Sequence, residues 1–293
     1  MPSGILIIDK PQGWTSMDVC AKLRGIFQEK RVGHGGTLNP MATGVLPVFV
    51  GRATRAVEFA EKSDKEYIAG LKLGVVTNTQ DTSGEVLERR PAAHIGHQGV
   101  YDILEQFRGD ILQVPPMYSA IKINGKKLYE LARKGREVER PARPVTIHSL
   151  ELEEMEGPED FLLRVRCSKG TYVRTLCHDI GQALGCGGCM SSLRRTMAAG
   201  FPLQDSRTLE QVQSAPDPAA LLLPVDSIFS DRKKLTVDRA TEKMVRNGMT
   251  AVLPHLDSGE YRAYAIGGEF LALCRCRNGK LSPIKSFYEI QKR

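Results

Sequence analysis

The segment 30–47 holds two polar side chains of chemical interest, His34 and Asn39, within a run of glycines and prolines. So many Gly and Pro residues in a short stretch predict an irregular loop. His34 stands between two glycines and, taken singly, is an incidental loop residue. Asn39 precedes Pro40, and an Asn-Pro pair taken singly indicates a turn. Because an amide oxygen is a poor nucleophile and a poor base, the loop alone predicts a turn and no reaction.

Three further side chains are candidates for a site: Tyr67, Arg174 and Leu193. Tyr67 begins a predicted strand, where a tyrosine usually packs its ring and leaves its hydroxyl in water. Arg174 lies in the first turn of a predicted helix, where a surface charge is the simplest interpretation. Leucine is mostly a core residue, which is the simplest interpretation of Leu193. Each residue alone favours a structural role, and only their joint context favours a functional one.

The sequence around these side chains forms an ordered set of motifs. In chain order they are Lys10-Pro11-x-Gly13-x-Thr15-Ser16, Gly36-Thr-Leu-Asn-Pro40, Asp64-Lys-Glu-Tyr67, Gln113-Val-Pro-Pro-Met-Tyr-Ser-Ala-Ile-Lys122 with Gly125-Lys-Lys-Leu-Tyr129, Cys167-Ser-Lys-Gly-Thr-Tyr-Val-Arg174, and Ser191-Ser-Leu-Arg-Arg-Thr196. In order and spacing, from residue 4 to about residue 226, the set resembles the tRNA pseudouridine-55 synthases of the TruB family. Such a set is far more specific than any one of its motifs.

The resemblance implies a role for each candidate. Position 39 is that of the catalytic nucleophile, which is an aspartate in the family and Asn39 here. Tyr67 matches the tyrosine that stacks on the extruded base and assists proton removal. Arg174 matches the arginine that pairs with the catalytic carboxylate. Leu193 matches an apolar pocket residue, and His34 matches a histidine that helps to extrude the base.

The implied reaction is the isomerisation of uridine to pseudouridine at position 55 in the T-loop of tRNA. It breaks the C1′–N1 glycosidic bond, turns the base and rebuilds the link through C5, so no cofactor or metal is implied. The target base must leave the RNA stack, at a cost of a few kcal/mol. The residues expected to bind the RNA are His34, Leu193, Lys10, Tyr118, Lys122, Lys126, Lys127 and Arg143.

Asn39 is the one decisive departure from the family pattern, which reads Gly-(Gly/Thr)-Thr-Leu-Asp-Pro. Asparagine and aspartate are nearly isosteric, so we expect the fold to survive and the nucleophile to be lost. The sequence therefore predicts a chain that binds tRNA and isomerises it negligibly, whether Asn39 is engineered or natural. The alternative is a non-catalytic RNA-binding protein or tRNA folding chaperone in which Asn39 is the natural residue.

Hydrophobic periodicity predicts alternating strands and helices of an α+β protein. The predicted strands are 4–8, 67–73 and 164–168, the predicted helices are 16–28, 52–61, 99–107 and 172–184, and a capping box is predicted at 208–211. The resemblance implies the pseudouridine synthase fold, a mixed, largely antiparallel central sheet with flanking helices and an RNA-clasping insertion at about 113–145. This catalytic domain is expected to cover residues 1–230.

The last sixty or so residues have a different character. Three strand-like segments, 261–266, 270–277 and 281–287, are separated by Gly267-Gly268 and Asn278-Gly279, which suit tight hairpin turns. We therefore expect a small β-rich domain over residues 231–293. Its position after the catalytic domain resembles that of the RNA-binding PUA domain of the family.

The formal net charge is +7, which suggests a polyanionic partner. The excess is local, because residues 122–143 carry eight basic side chains against three acidic ones. This segment is either a solvated face or an RNA-binding surface, and its neighbours Tyr118 and Tyr129 favour RNA.

The seven cysteines are odd in number and scattered, which favours a reducing compartment over a disulfide framework. A third hypothesis, a zinc-dependent nucleic-acid protein, needs two more ligands beside Cys186 and Cys189, with His178 the nearest candidate. No apolar stretch reaches membrane-spanning length, so we expect a cytoplasmic protein. We also expect a monomer without an obligate protein partner.

Overall fold

The computed structural model of the chain describes residues 2–123 and 125–288. The strands are β1 (Gly4–Lys10), β2 (Val32–His34), β3 (Thr43–Val50), β4 (Lys65–Leu73), β5 (Val75–Thr77), β6 (Val86–Arg89), β7 (Gly109–Gln113), β8 (Lys122–Ile123), β9 (Lys126–Lys127), β10 (Arg143–Met155), β11 (Asp160–Cys167), β12 (Gly188–Ala198), β13 (Phe201–Pro202), β14 (Lys233–Thr236), β15 (Ala251–Val252), β16 (Gly259–Tyr264), β17 (Phe270–Arg277) and β18 (Lys280–Ser286). The helices are α1 (Ser16–Phe27), α2 (Val57–Lys62), α3 (Gly96–Leu104), α4 (Leu128–Ala132), α5 (Val173–Ala183), α6 (Leu209–Ser214) and α7 (Arg239–Arg246), with 3-10 turns at Gly51–Ala56, Glu105–Phe107, Leu203–Asp205, Pro218–Leu221 and Val225–Phe229.

Nine strands form the large sheet, in the order β1-β3-β12-β4-β11-β10-β7, with β2 attached to β3 and β13 to β12. Every pairing in it is antiparallel except that of β3 with β12, which is parallel. This confirms the predicted α+β class with a mixed, largely antiparallel central sheet. The order places β12 between β3 and β4, so the loop before β3 and the side chains of β4 and β12 share one region.

Local sequence signals account for most of the helices that flank this sheet. Thr15 and Asp18 form a reciprocal capping box at the start of α1, and Thr208 and Gln211 form the predicted one at α6. The single helix predicted over 52–61 is wrong in detail, because a 3-10 turn precedes α2. The Thr54 hydroxyl donates to the Gly51 carbonyl three residues back, which suits the tighter turn.

The second sheet contains five strands in the order β14-β16-β17-β18-β15. Strands β16, β17 and β18 form the predicted meander, and Asn278 (φ 50°) and Gly279 (φ 70°) make the tight turn between the last two. The parallel addition of β14 to β16 was not predicted. In the basic segment, β8 and β9 pair with each other, and α4 follows β9 directly.

An aromatic cluster joins the small sheet to the large one. Phe229 is 4% exposed, and its ring centroid lies 5.0 Å from that of Phe59, 6.3 Å from Phe270 and 5.8 Å from Phe287. At the edge of this cluster, Lys285 Nζ lies 2.8 Å from a carboxylate oxygen of Glu58. The small sheet is therefore packed against α2 and the 3-10 turn before it.

No helix within residues 2–123 and 125–288 is both long enough and apolar enough to span a membrane.

We expect Phe229→Ala to lower the free energy of unfolding by about 3–5 kcal/mol, because it removes a buried ring from the centre of the cluster. Urea unfolding followed by circular dichroism would measure the change. As a control, Ile266→Ala alters a side chain that is 67% exposed and should change stability by less than about 0.5 kcal/mol. Equal losses in the two variants would contradict the packing role of Phe229.

Candidate active site

Hydrogen bonds from the N-terminal motif hold the loop between β2 and β3. The buried Ser16 hydroxyl donates to the Leu38 carbonyl at 3.1 Å and accepts from the Leu38 amide at 2.9 Å. The Gly13 amide donates to the Pro40 carbonyl at 2.7 Å. These bonds secure both residues that flank Asn39, so its backbone position is determined by α1 and the turn before it.

Asn39 is half-buried, and its side chain folds back onto the loop. Its Oδ1 accepts from the Ala42 amide at 3.0 Å, and its own carbonyl accepts from the same amide at 3.2 Å. An aspartate could accept the same bond, and a charged acceptor would make it stronger. The geometry therefore suits a carboxylate at this position as well as the amide that is present.

Arg174 lies in the first turn of α5 with its side chain 15% exposed. Its Nη1 lies 3.3 Å from Asp81 Oδ2, and its Nη2 donates to the Tyr118 carbonyl at 2.6 Å. The expectation that Arg174 pairs with residue 39 needs correction, since the acidic partner in this structure is Asp81. The neutral Asn39 amide offers the guanidinium no charge to compete with the Asp81 carboxylate.

Tyr67 and Leu193 face the same region from neighbouring strands. Tyr67 is buried on β4, and burial raises the pKa of its phenol, while the nearby Arg195 guanidinium opposes this rise in the pKa. Leu193 lies on β12, opposite Ala69 of β4. It is half-buried and packs against the hydrophobic cluster that contains Tyr67 and Ala69. Both side chains therefore belong to or pack against the hydrophobic cluster that also contains Leu38 and Ala42 of the loop.

Two lysines are buried beneath the loop without a described carboxylate partner. Lys10 is fully buried and donates to the Pro11 and Trp14 carbonyls at 2.8 and 2.7 Å. Burial, with a smaller contribution from Arg195, lowers the pKa of Lys10 to about 8, and the same causes lower the pKa of Lys65 to about 8. The Lys10 ammonium therefore supports the turn before α1, and a contact of Lys10 with RNA stays a prediction.

His34 ends β2 at the entrance to the loop. Burial, and then the charge of Arg195, lowers the pKa of its imidazole. Within the described part of the chain, its Nδ1 is buried and has no hydrogen-bond partner. His34 is therefore neutral near pH 7, with one buried ring nitrogen unpaired.

The remaining predicted RNA contacts lie on the insertion and beside it. Lys122, Lys126 and Arg143 are exposed, and Lys127 is half-buried with its ammonium 3.2 Å from the Tyr129 hydroxyl. Tyr118 is half-buried and reaches the site through its backbone carbonyl rather than its ring. The cysteines give no support for zinc, since no group of three or more His, Cys, Asp or Glu residues in 2–123 and 125–288 could hold a metal.

Two residues of the site were missed from the sequence, Asp81 and Arg195. Asp81 is buried and accepts hydrogen bonds from the Thr79 and Ser83 hydroxyls as well as from Arg174. Arg195 is 1% exposed and lies directly opposite Tyr67 in the β4–β12 pairing. Arg195 lies inside the motif Ser191–Thr196 that contains Leu193, and this was the signal that could have drawn attention to it.

The arrangement of the sheet and site defines the class of protein. A solved structure described as a Cbf5–Nop10–Gar1 complex superposes with a TM-score of 0.73 at 26% identity, covering 97% of this chain and 85% of that one. An H/ACA RNP bound to a substrate RNA containing 2′-deoxyuridine matches at the same TM-score with 24% identity, which supports the fold alone. The fold is that of the pseudouridine synthases.

Sequence comparison then gives the family. The profile of the TruB family pseudouridylate synthase N-terminal domain matches residues 24–173, and that of the tRNA pseudouridylate synthase B C-terminal domain matches residues 174–230. The tRNA pseudouridine synthase B of Azoarcus sp. (strain BH72) is 42% identical over 96% of this chain and 93% of its own, and that of Clostridium kluyveri is 39% identical over 97% and 99%. The chain belongs to the TruB family of pseudouridylate synthases.

The imidazole of His34 should titrate below its ordinary pKa of 6.5, because burial and Arg195 disfavour the charged form. NMR of the histidine side chains across pH would measure this, with His34→Gln used to assign the signal. The unfolded chain takes up this proton first, so His34 should make stability fall as the pH drops below 6.5. An imidazole that titrates above 6.5 would contradict the burial described for the site.

Proposed function

We propose that this chain is the scaffold of a tRNA pseudouridine-55 synthase that binds the T-loop of tRNA and is inactive because Asn39 replaces the catalytic aspartate. Relatives named tRNA pseudouridine synthase B support tRNA as the substrate class. The observation that carries the proposal is the position of Asn39, on a loop secured by Ser16 and Gly13 beside the Tyr67 pocket wall.

The reaction needs a nucleophile or an electrostatic partner at the glycosidic carbon and an acceptor for the C5 proton. A carboxylate at position 39 would supply the first of these. Tyr67 would stack on the turned base, and the Arg195 charge opposes the rise in its pKa, which is the direction that a proton-accepting role requires. Leu193 would form the apolar wall of the base pocket. Neutral His34 would occupy the gap that the extruded base leaves in the RNA stack.

The amide explains the loss of activity without loss of binding. Asn39 keeps the volume of aspartate and the hydrogen bond to the Ala42 amide, so the loop holds its shape. It lacks the charge and the nucleophilic oxygen that the covalent or electrostatic step needs. Arg174 remains bound to Asp81 and Tyr118, so the loss of the carboxylate leaves the arginine with other partners.

Asn39→Asp should restore isomerisation by several orders of magnitude, because it returns the one group on which the chemistry depends. Both forms would be given a T-arm RNA, and RNA binding and pseudouridine formation would be scored in parallel. Asn39→Ala is the matched control and should bind RNA without reacting. If the aspartate form binds and does not react, the role of position 39 is wrong and the RNA-chaperone function is favoured.

The basic segment 122–143 is the proposed RNA clasp. Lys122, Lys126 and Arg143 are exposed there, and nothing in the described structure neutralises them by an ion pair. Lys and Arg side chains that bind phosphates release counterions, so affinity should fall steeply as salt rises. The ring of Tyr129, with Lys127 and Arg133 at 5.3 and 5.4 Å from its centroid, adds an aromatic surface for a base.

A Lys126→Ala, Lys127→Ala double variant should weaken binding of different tRNAs to a similar degree and lower the salt slope by about 2, since phosphate contacts position the RNA without reading its sequence. Filter binding over a range of salt concentrations would measure both effects. Lys72→Ala is the control, because Lys72 is already paired with Asp160 at 2.9 Å. An unchanged salt slope in the double variant would show that the clasp lies elsewhere.

The second candidate function is RNA binding without modification, with Asn39 as the natural residue. The amide itself is the observation that favours it, and tRNA folding assays on the chain as it stands would support it. The proposed division into a catalytic domain (1–230) and a PUA-like RNA-binding domain (231–293), the monomeric state and the cytoplasmic location complete the proposal.

A further inference from the structure

Arg195 is a buried cation without an acidic partner. Its side chain is 1% exposed, and it makes no ion pair with any residue in 2–123 or 125–288. Its Nε donates to the Val45 carbonyl at 2.6 Å, and its Nη2 donates to the Gly36 carbonyl at 3.1 Å. These two acceptors lie at opposite ends of the segment 36–45, which carries Asn39.

Such a placement costs free energy. A guanidinium taken out of water loses its hydration, and bonds to neutral carbonyls recover only part of that loss. An apolar side chain of similar volume would fill the same position on β12 without this penalty. Because the charge of Arg195 does not neutralise an acid, we attribute its role to the geometry of the two hydrogen bonds that it donates to the segment 36–45.

The surroundings show that Arg195 lies at the centre of the site. Its backbone faces Tyr67 across the β4–β12 pairing and Gly44 across the β3–β12 pairing. Gly44 has φ +97°, and a Cβ there would lie 2.2 Å from the Arg195 carbonyl oxygen, so only glycine permits this approach. Its charge also contributes, after burial, to the lowered pKa of His34 and Lys65.

We propose that Arg195 is a positioning residue of the pseudouridine synthase site, whose guanidinium clamps both ends of the segment 36–45 and so holds the residue-39 side chain in a fixed position relative to Tyr67. The inference rests on the proposed function and deepens it. Arg195 acts through the loop backbone, and the RNA does not need to touch it.

The clamp adds bonds at both ends of this segment to those that Ser16 and Gly13 make to Leu38 and Pro40 in its middle. The parallel pairing of β3 with β12 comprises only two residue pairs, both at the end of the segment. A misplacement of about 1 Å at a reacting group can lower a rate on the order of 100-fold. Lysine does not reproduce this arrangement, because its donors sit on one nitrogen, whereas the carbonyls of Val45 and Gly36 accept from two different nitrogens of the planar Arg195 guanidinium.

The test uses Arg195→Lys in the Asn39→Asp chain, with Arg164→Lys as the matched control on β11. We expect the single-turnover rate at saturating T-arm RNA to fall by about 10- to 100-fold in the Arg195 variant, with an unchanged dissociation constant. Exchange of the Ala42 amide, which bonds the residue-39 side chain, should speed up by about tenfold or more. The control should alter neither quantity. An unchanged rate and unchanged exchange would overturn the proposal.

Gly36→Ala supplies an independent variant that disturbs the acceptor and leaves the cation in place. Gly36 has φ +115°, so alanine must shift the carbonyl that receives the Arg195 bond. In the double variant the losses in rate should be less than multiplicative, because both changes break one clamp. Fully multiplicative losses would overturn the clamp. If thermal melting shows that Arg195→Lys is unfolded, a normal rate and normal Ala42 exchange in Gly36→Ala overturn it instead.

Failure of this inference differs from failure of the proposed function. If the Asn39→Asp chain makes no pseudouridine, the proposed function fails, and Ala42 exchange still tests the clamp in the chain as it stands. If that chain is active and Arg195→Lys is equally active, the function stands and the positioning role of Arg195 is wrong.

Discussion

The short parallel contact between β3 and β12 is the constraint on which the site depends. It joins Thr43 to Arg194 and Gly44 to Arg195, and it is the one parallel contact described in a large sheet of antiparallel pairings. Through it the loop that leads into β3 lies beside β12, and β12 in turn pairs with β4. Residues far apart in the chain, such as Asn39, Tyr67 and Leu193, converge because of this contact. Without room at Gly44 the two strands could not approach.

Buried charge distinguishes the interior of this site from an ordinary core. Lys10, Lys65 and Arg195 direct their side chains to backbone carbonyls, respectively in the turn before α1, at the end of α2 and in β3. Such bonds fix loops more specifically than apolar contacts do, because they have direction as well as distance. After burial, the Arg195 charge lowers the pKa of both Lys10 and Lys65, so it disfavours the charged form of each lysine.

Local sequence signals predict much of the fold. The capping pairs Thr15–Asp18 and Thr208–Gln211, the periodicity of α1 and α5, and the Asn278-Gly279 turn all act within a few residues, so the sequence exposes them directly. The partner of Arg174 and the burial of Lys10 depend on chain segments far away in sequence. Asp81 is 93 residues from Arg174, and no local pattern marks it as a partner. The motifs identified the candidate residues, and tertiary packing determines the hydrogen-bond partner of each one.

The docking of the small sheet has a consequence for recognition. Phe229, Phe270 and Phe287 fill the space between the two sheets, and Lys285 bonds Glu58 on the helix that leads into β4. The two sheets are therefore packed against each other, and this packing sets the spacing between their outer surfaces in the structure. A ligand that contacts both sheets must therefore match the distance between their outer surfaces. Such a surface can select an RNA without contacting an individual base, because the length and bend of the RNA decide whether it fits.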